Sequence, residues 1–479
     1  MSDPVPDSTG LARRPYFFCG VGGSGMLPLA LILRGRGYEV SGSDRSLDAG
    51  RTSAKFDFLR RQGIALFPQD GSGLSDASQI LVASAAVEDT VPDVVAANRL
   101  GCERLGRAEL LAKLVNGSPN SIAVGGTSGK STVTGMIGWI LYALRRDPTV
   151  MNGAVMKNFA SADALFASAL VGEGDTFVSE VDESDGTIAL YDPTIAVLNN
   201  IALDHKSMDE LRALFGAFVS RAKSAVVNLD NAETRALYER LKPAHALTFS
   251  LSDTSADYVA SDIVSAPDGM SCIVTETRSG DTARVCLQTP GRHNLSNGLA
   301  AIAACRALGG HSLKEVTQAL MNFTGIRRRL DVVGSAKDVV VIDDFGHNPD
   351  KIAATLSTLH QFPGRLLVMW QPHGYGPIRL MKDELIAMYG RELKERDVLL
   401  MPPPVYHGGT TDRSVGSDVV AEGVRALGRN AEVGADRAAC GDRLVDLAQP
   451  GDIIIVMGAR DDTLSEFAVD LLERVKAKL

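Results

Sequence analysis

A glycine-rich turn near residue 128 carries the residue types that bind nucleotide phosphates. The apolar run 122–124 leads into the turn 126–129, Lys130 and Ser131 close it, and a helical pattern follows. Backbone N–H groups of such a turn, together with a helix N-terminus, surround a phosphate. Lys130 would lie along the β- and γ-phosphates, and the Ser131 hydroxyl would ligate Mg²⁺.

This turn differs at one position from the strict pattern G-x-x-x-x-G-K-[ST], because Val124 stands where the pattern has its first glycine. An ordinary glycine turn before a helix is the alternative. Gly-Lys-Ser directly after a strand favours the phosphate loop. The residues expected to contact a nucleotide here are Gly126, Thr127, Ser128, Gly129, Lys130, Ser131 and Thr132.

Acidic residues follow the next predicted strand. Residues 176–185 begin apolar and then contain Glu180, Asp182, Glu183 and Asp185. Carboxylates this close repel one another unless a cation or solvent lies among them. A solvated acidic face is the common case, but a strand end beside a phosphate loop favours a Mg²⁺ site.

A further buried strand, 195–201, is followed by His205. In open α/β sheets ligands bind at the carboxyl ends of the strands, so we expect His205 at the same edge as Lys130 and Glu180. A neutral imidazole can ligate a divalent ion, whereas a capped surface histidine is the alternative. Later, Asn294 begins a helix; such amides are usually caps but could equally contact the edge of a purine.

The N-terminal part predicts a diphosphate-binding α/β unit. Strand 16–19 runs into a G-x-G-x-x-G sequence at 20–25, and a second strand ends at Asp44. In a Rossmann domain a carboxylate about 20 residues beyond the last glycine binds a ribose. A nicotinamide dehydrogenase is the alternative, but the loop indicates only a pyrophosphate, which a UDP-sugar also has. Ser84 ends another predicted strand. Arg107 begins a predicted helix, where it could bind a phosphate or carboxylate or could be a solvated arginine.

Three adjacent arginines, 327–329, begin the C-terminal part. They could reach across a cleft to a transferring phosphate, and a solvated linker is the alternative. Strand 339–344 then ends in Asp343 and Asp344, and further βα units follow. This pattern predicts a small doubly wound domain.

Composition limits the possible function classes. The 479 residues suggest two to four domains, and a net charge of −9 argues against nucleic acid or an anionic membrane as the main partner. No apolar run is long enough to span a bilayer, and residues 1–14 lack the apolar segment of a signal peptide. None of the six cysteines forms a C-x-x-C pair. We expect a cytoplasmic protein with a disordered tail over 1–14.

Taken in order, these motifs resemble the Mur ligase family, the ATP-dependent ligases that build the peptidoglycan stem peptide. Within that family they are most similar to the branch that attaches alanine, with the branch that recycles murein tripeptide close behind. The matching stretches are 20–26, 41–44, 107–109, 126–131, 180–185, 200 with 204–205, 291–294, 328–329, 343–349 and 371–373.

The resemblance implies an α/β protein of three domains. A Rossmann-like domain (15–108) would bind the UDP moiety, and a central P-loop ATPase-type domain with a mostly parallel sheet (109–323) would bind ATP. A doubly wound α/β domain (324–479) would bring the amine. It also implies ATP and two Mg²⁺ ions, a monomer or homodimer, and amide formation between UDP-N-acetylmuramate and an amino acid. L-Alanine is the expected amine, and a peptide or another amine is the alternative.

The same resemblance implies residue roles. Lys130 would stabilise the γ-phosphate, Ser131 and Glu180 would hold one Mg²⁺, and His205 a second. Arg328 would reach in from the last domain. Asn294, with His293 or Asn297, would contact adenine. Asp343 or Asp344 would contact the ATP ribose. The UDP-sugar and the amine would contact Gly22, Gly23, Ser24, Gly25, Met26, Asp44, Ser84, Arg107, Glu183, His347 and His373.

Several positions depart from the alanine-adding pattern. Ser128 replaces a histidine of the phosphate loop, and Asn348 replaces the second histidine of Gly-His-His-Pro. Gly374 and Pro377 stand where the family has basic residues, and losing arginines removes a directional carboxylate clamp. The ligase reaction is therefore predicted more firmly than the identity of the amine, and Gly374 with Gly376 would suit a roomier amine site.

Overall fold

The computed structural model describes residues 11–161, 163–183, 186–203, 206–266, 269–405, 412–459, 461 and 463–478. The chain divides into two compact units, Met1–Ile326 and Arg327–Leu479. Within the described residues no helix is both long and apolar enough to cross a membrane.

The first unit begins with a five-stranded parallel sheet in the order β3-β2-β1-β4-β5. Both of its faces are buried, since Phe18 and Phe17 of β1 pack into different hydrophobic clusters. This explains why its strands are apolar runs and not alternating patterns. Its elements are β1 Tyr16–Cys19, α1 Met26–Gly35, β2 Val40–Ser43, α2 Arg45–Asp48, α3 Ser53–Arg61, β3 Ala65–Phe67, β4 Ile80–Ala83, α4 Pro92–Leu100, β5 Glu103–Gly106 and α5 Arg107–Asn116.

A ten-stranded sheet completes this unit, in the order β15-β14-β13-β12-β11-β10-β6-β9-β7-β8. Pairing is parallel from β7 to β13 and antiparallel at both ends. The strands are β6 Asn120–Gly125, β7 Thr149–Met151, β8 Ala169–Leu170, β9 Thr176–Glu180, β10 Ile195–Leu198, β11 Ser224–Asn228, β12 Ala246–Ser250, β13 Tyr258–Ala266, β14 Gly269–Glu276 and β15 Asp281–Leu287. The helices are α6 Lys130–Ala143, α7 Met208–Arg221, α8 Ala232–Leu241, α9 Arg292–Leu308 and α10 Leu313–Leu320, with 3₁₀ turns at Lys157–Phe159 and Thr187–Leu190.

The second unit is a six-stranded sheet in the order β16-β17-β21-β18-β19-β20, in which only β16 is antiparallel to its neighbour. Helices cover both faces, so the unit is doubly wound as predicted. Its elements are β16 Asp331–Ala336, β17 Val339–Asp344, α11 Pro349–Leu359, β18 Leu366–Gln371, α12 Tyr375–Glu392, β19 Val398–Met401, α13 Ser417–Ala426, β20 Asn430–Val433, α14 Arg437–Leu447, β21 Ile453–Gly458 and α15 Thr463–Lys478. The predicted α/β fold class is confirmed.

Candidate functional site

The glycine-rich turn of the central region lies at the carboxyl edge of the ten-stranded sheet. β6 pairs with β9 through Val124 and Glu180, and with β10 through Gly125 and Leu198. Because the three strands are parallel, Glu180 and the residues after Leu198 lie beside the loop. The loop ends at Lys130, the first residue of α6.

Two asparagines that follow β10 fix the backbone of this loop. Oδ1 of Asn200 accepts hydrogen bonds from the Ser128 N–H and the Thr127 hydroxyl, both at 2.9 Å. Nδ2 of Asn199 donates to the Ser128 carbonyl at 3.1 Å. Gly129 adopts a left-handed φ of +81°, which costs glycine little. These hydrogen bonds and the left-handed glycine fix the shape of the loop.

Lys130 places its charge above the loop. Its Nζ donates to the Gly126 carbonyl at 2.7 Å and forms an ion pair with Oε2 of Glu183 at 2.7 Å. The Glu183 side chain is 4% exposed and that of Lys130 19%, so water screens the pair only weakly. An ammonium in this position can stabilise charge on a bound phosphate.

Ser131 and Glu180 bring a hydroxyl and a carboxylate together. The Ser131 hydroxyl donates to Oε2 of Glu180 at 2.7 Å. The other Glu180 oxygen lies over Gly153, where a β-carbon would overlap it. Mg²⁺ commonly takes one or two protein oxygens together with waters and substrate phosphates, so this oxygen pair fits such an ion. The next residue, Thr132, is buried in α6.

Three of the four carboxylates predicted to form an acidic cluster, Glu180, Asp182 and Glu183, belong to the described residues. Across the described ranges no three His, Cys, Asp or Glu side chains gather into a metal-binding group. Glu180 and Glu183 contact different side chains of the phosphate loop. Asp185 and His205 lie outside the described residues, so the metal and catalytic roles of His205 stay predictions.

A groove of about 560 Å³ lies further along the same sheet edge. It is lined by residues after β11 and β12 and by Arg292, His293 and Ser296 of α9. His293 is exposed there, where a nucleotide base could contact it. Asn294 and Asn297 are only 5% and 4% exposed. Neither of these two amides lines the groove, and their contact with adenine stays a prediction.

In the first sheet the glycine-rich loop contacts two predicted substrate residues. The Gly22 N–H donates to Oδ2 of Asp44 at 2.9 Å, and the other Asp44 oxygen caps α2. A β-carbon on Gly25 would lie 3.0 Å from the Arg107 side chain. A cation at the N-terminus of α1 is favourable when an anion lies between them, which fits a diphosphate.

The other residues predicted for the UDP-sugar have different surroundings. Gly23 and Ser24 belong to the same loop, and Ser84 follows β4, the neighbour of β1. Met26 is buried in the hydrophobic core, so its side chain contributes packing.

The side chain of Arg328 makes its hydrogen bonds within the second unit. It donates to Oδ1 of Asp343 at 3.3 Å, to the Gly458 carbonyl at 2.7 Å and to the Asp461 carbonyl at 3.0 Å. Its φ is +60°, a strained value for a residue with a side chain. Reaching a phosphate would require these hydrogen bonds to break, so that role stays a prediction.

The two carboxylates at the end of β17 are buried and bonded within the unit. Asp344 accepts from the N–H groups of Leu330 and Gly346, each at 2.8 Å, and from the Thr355 hydroxyl at 3.1 Å. Burial raises the pKa of Asp343 to about 6, although the neighbouring guanidinium lowers it. Contacts of either residue with a ribose stay predictions.

His347 and His373 lie together near the N-terminus of α12. The His347 ring is edge-on to that of His373 at 5.6 Å, and its Nδ1 bonds the Phe345 carbonyl at 2.9 Å. Burial lowers the pKa of His347 to about 3, so the ring is neutral, and the carbonyl fixes the proton on Nδ1. The remaining nitrogen is then an acceptor, which suits a substrate N–H.

Comparison with known proteins identifies the family. Residues 15–118 match the Mur ligase family catalytic domain, 124–305 the Mur ligase middle domain, and 328–460 the Mur ligase glutamate ligase domain. A UDP-N-acetylmuramate--L-alanine ligase of Agrobacterium fabrum is 32% identical over 99% of this chain and 98% of its own length. The chain belongs to the Mur ligase family.

A second relative supports this assignment, and a solved structure shares the fold. A UDP-N-acetylmuramate--L-alanine ligase of Synechococcus sp. is 33% identical, over 94% of each chain. The crystal structure of the UDP-N-acetylmuramate-alanine ligase of Thermotoga maritima has the same fold, with a TM-score of 0.78 and 23% identity over 97% of this chain and 100% of that one.

The sequence motifs did not reveal every residue of this Mur ligase site. Asn199 donates to the Ser128 carbonyl and Asn152 to the Ser131 carbonyl, and Gly153 lies against the Glu180 carboxylate. Asn199 follows a buried strand, which could have indicated a position at the sheet edge. Asn152 and Gly153 had only a turn-like pattern, and nothing in it indicated Ser131 as a neighbour of Asn152 or Glu180 as a neighbour of Gly153.

Proposed function

We propose that this Mur ligase joins an amino acid, L-alanine first among the candidates, to the carboxylate of UDP-N-acetylmuramate at the expense of ATP. The observation that carries the proposal is the joint placement of Lys130, Ser131 and Glu180 around one shaped loop. Relatives named as UDP-N-acetylmuramate--L-alanine ligases, similar over nearly the whole chain, support the substrates.

The reaction has two steps. An oxygen of the substrate carboxylate attacks the γ-phosphorus of ATP, the bond to the β-γ bridging oxygen breaks, and an acyl phosphate and ADP form. The neutral amine then attacks the acyl carbon, and the tetrahedral intermediate expels phosphate as the nitrogen loses a proton. Both the first nucleophile and its target are anionic, so positioned positive charge lowers the barrier.

The residues divide this work. Lys130 neutralises the transferring phosphoryl group, and Ser131 and Glu180 hold Mg²⁺, which supplies further positive charge when bound. The loop containing Gly25, with Arg107 beside it, holds the diphosphate of the UDP-sugar. His205 as a ligand of a second Mg²⁺ and Arg328 as a second cation at the phosphate complete the proposed site. Since ATP and UDP-sugars are cytoplasmic metabolites, we place the reaction in the cytoplasm.

The amine is the least constrained substrate. Gly374 precedes the first turn of α12 without a side-chain cap, and a β-carbon on Gly376 would meet nothing within 4 Å. The nearest arginine along the helix, Arg379, pairs with Asp412 at 2.6 Å. The open space beside Gly376 could accommodate a larger amine, so a murein tripeptide should be tested together with single amino acids.

Phosphate release from ATP and Mg²⁺ with UDP-N-acetylmuramate tests the proposal. Each L-amino acid and a murein tripeptide are supplied in parallel. Release that requires both the sugar and L-alanine is the expected result, and Lys130→Ala should abolish it whereas the surface variant Lys223→Ala should not. Release only with the tripeptide would replace alanine by the peptide, and no sugar-dependent release would refute the proposal.

A further inference from the structure

A buried carboxylate connects three elements at the carboxyl edge of the five-stranded sheet. Asp93, in the first turn of α4, is fully buried, and its Oδ2 accepts a hydrogen bond from the hydroxyl of Ser43 at the end of β2. Its Oδ1 accepts from the Gly71 N–H at 2.9 Å. Because Gly71 follows β3, the parallel neighbour of β2, one side chain connects α4 to the ends of two adjacent strands.

The environment of Asp93 makes its charge expensive. Its two hydrogen-bond donors, a hydroxyl and a backbone N–H, are neutral. Burial raises the pKa of Asp93, whereas these hydrogen bonds lower it. The N-terminus of α4 favours a negative charge, but a carboxylate without a cation is still costly to bury. Its presence indicates that the hydrogen bonds to Ser43 and Gly71 outweigh that cost.

Ser43 fixes the turn that follows β1. The Ser43 carbonyl accepts from the N–H groups of residues 20 and 21, both at 2.9 Å. The next residue, Asp44, accepts from the Gly22 N–H at the same distance. Three consecutive N–H groups of the glycine-rich loop therefore take their direction from the end of β2, where Asp93 holds the side chain of Ser43.

The segment that follows β3 depends on the same carboxylate. Gly71 has a left-handed φ of +86°, and a β-carbon there would lie 3.0 Å from the Pro92 carbonyl, so the backbone passes close to the start of α4. In the sheet, β2 lies between β1 and β3. The loop 20–25 and the segment around Gly71 therefore lie on the two sides of Asp44, and Asp93 connects them.

We propose that Asp93 is a positioning residue for the UDP-sugar. Its hydrogen bonds to Ser43 and Gly71 hold the two chain segments beside Asp44 in the conformation that binds the UDP moiety. Asp93 acts through these residues, since it is fully buried. The inference rests on the proposed function in taking a UDP-sugar as the ligand of the first sheet.

Steady-state phosphate release separates this role from a general loss of stability. Asp93→Ala removes both acceptors and should raise the KM for UDP-N-acetylmuramate about tenfold, while the KM for MgATP and kcat at saturating sugar stay near their wild-type values. Asp93→Asn should restore most of the affinity, because its amide can accept from the Gly71 N–H and donate to the Ser43 hydroxyl.

Asp397→Ala is the matched control. Asp397 is also fully buried and accepts from the Leu366 N–H at 2.9 Å, but it belongs to the second unit. Its replacement should lower the melting temperature and leave the KM for UDP-N-acetylmuramate unchanged. If Asp93→Ala does not fold, Ser43→Ala, which removes one of the two hydrogen bonds, is measured under the same criteria, with thermal unfolding as the check on folding.

Other outcomes overturn the proposal. A loss of kcat or of MgATP affinity in Asp93→Ala as large as the loss of sugar affinity would make its effect a general one. Asp93→Asn as impaired as Asp93→Ala would exclude the two hydrogen bonds as the cause. Sugar-dependent release with an unchanged KM in Asp93→Ala would refute only this inference. Wild-type protein that shows no sugar-dependent release and does not bind UDP in calorimetry would refute the proposed function and this inference together.

Discussion

The ammonium of Lys130 and the carboxylate of Glu183 are 2.7 Å apart at the phosphate loop, and both side chains are largely shielded from solvent. The carboxylate neutralises the lysine that a triphosphate would otherwise engage. The Glu183 carboxylate would also repel a bound triphosphate, because electrostatic interactions are strong in a low-dielectric environment. Glu183 therefore opposes ATP binding while it directs Lys130.

We expect Glu183→Gln to bind MgATP several-fold more tightly, because the competing charge is gone while the side-chain shape remains. Turnover should fall, because Lys130 loses the partner that orients it. Calorimetry and phosphate release measure the two effects separately. Glu233→Gln, which removes the charge of a partly exposed pair with Arg212 on another part of the first unit, is the control and should change neither MgATP affinity nor turnover. Weaker MgATP binding in Glu183→Gln would contradict this account.

The oxygen pair of Ser131 and Glu180 predicts a change in Mg²⁺ dependence. Ser131→Ala and Glu180→Gln should each raise the Mg²⁺ concentration for half-maximal phosphate release by about tenfold, as expected for one lost ligand interaction. Ser131→Thr keeps a hydroxyl and should stay near the wild-type value. A lower maximal rate with an unchanged Mg²⁺ midpoint would mean that the pair does not hold the ion.

The sequence predicted the phosphate loop and its edge of the sheet because Gly-Lys-Ser after an apolar strand is a local pattern. The antiparallel strands β13 to β15 were not predicted, since nothing local distinguishes an extension of the sheet from a separate hairpin. The hydrogen bond between Asn297 and Asn199 was not predicted, because helical spacing gives the face on which a side chain lies but not its neighbour. The two residues are 98 positions apart in the chain, and such a contact exists only after folding.

Gly129 offers a test in which backbone strain and side-chain contact are separated. Gly129→Ala must adopt a left-handed φ and also displace Asn199 and Asn297, whereas Gly280→Ala has a similar φ of +77° and meets nothing within 4 Å. Both variants should lose about 1 kcal/mol of folding free energy, because alanine disfavours a left-handed φ. Only Gly129→Ala should also lose MgATP affinity, by tenfold or more. Equal affinity in the two variants would show that the contact is unimportant.

Arg328 and Asp343 predict a pH dependence of stability in the second unit. The pKa of Asp343 is raised from 3.8 to about 6, mainly by burial, so the folded state binds its proton more tightly than the unfolded state. The stability contributed by this proton is fully present below pH 4 and is lost as the pH rises to about 6. Asp343→Asn removes the titration and keeps the size of the side chain. The difference in melting temperature, wild type minus variant, should therefore decrease between pH 4 and pH 6 and stay constant above it.

A difference in melting temperature that instead increases with pH would mean that the ion pair with Arg328 outweighs burial, because the folded-state pKa of Asp343 would then lie below 3.8.

The same ion pair allows a kinetic test of Arg328. If its guanidinium leaves Asp343 to reach the transferring phosphate, Arg328→Ala should lower kcat at least tenfold more than it weakens MgATP binding, since the contact would form only during phosphoryl transfer. Arg327→Ala is the neighbouring control and should lower kcat far less. Equal losses of turnover and MgATP affinity in Arg328→Ala would refute that role and leave Arg328 as the residue that holds the end of β17 to Gly458 and Asp461.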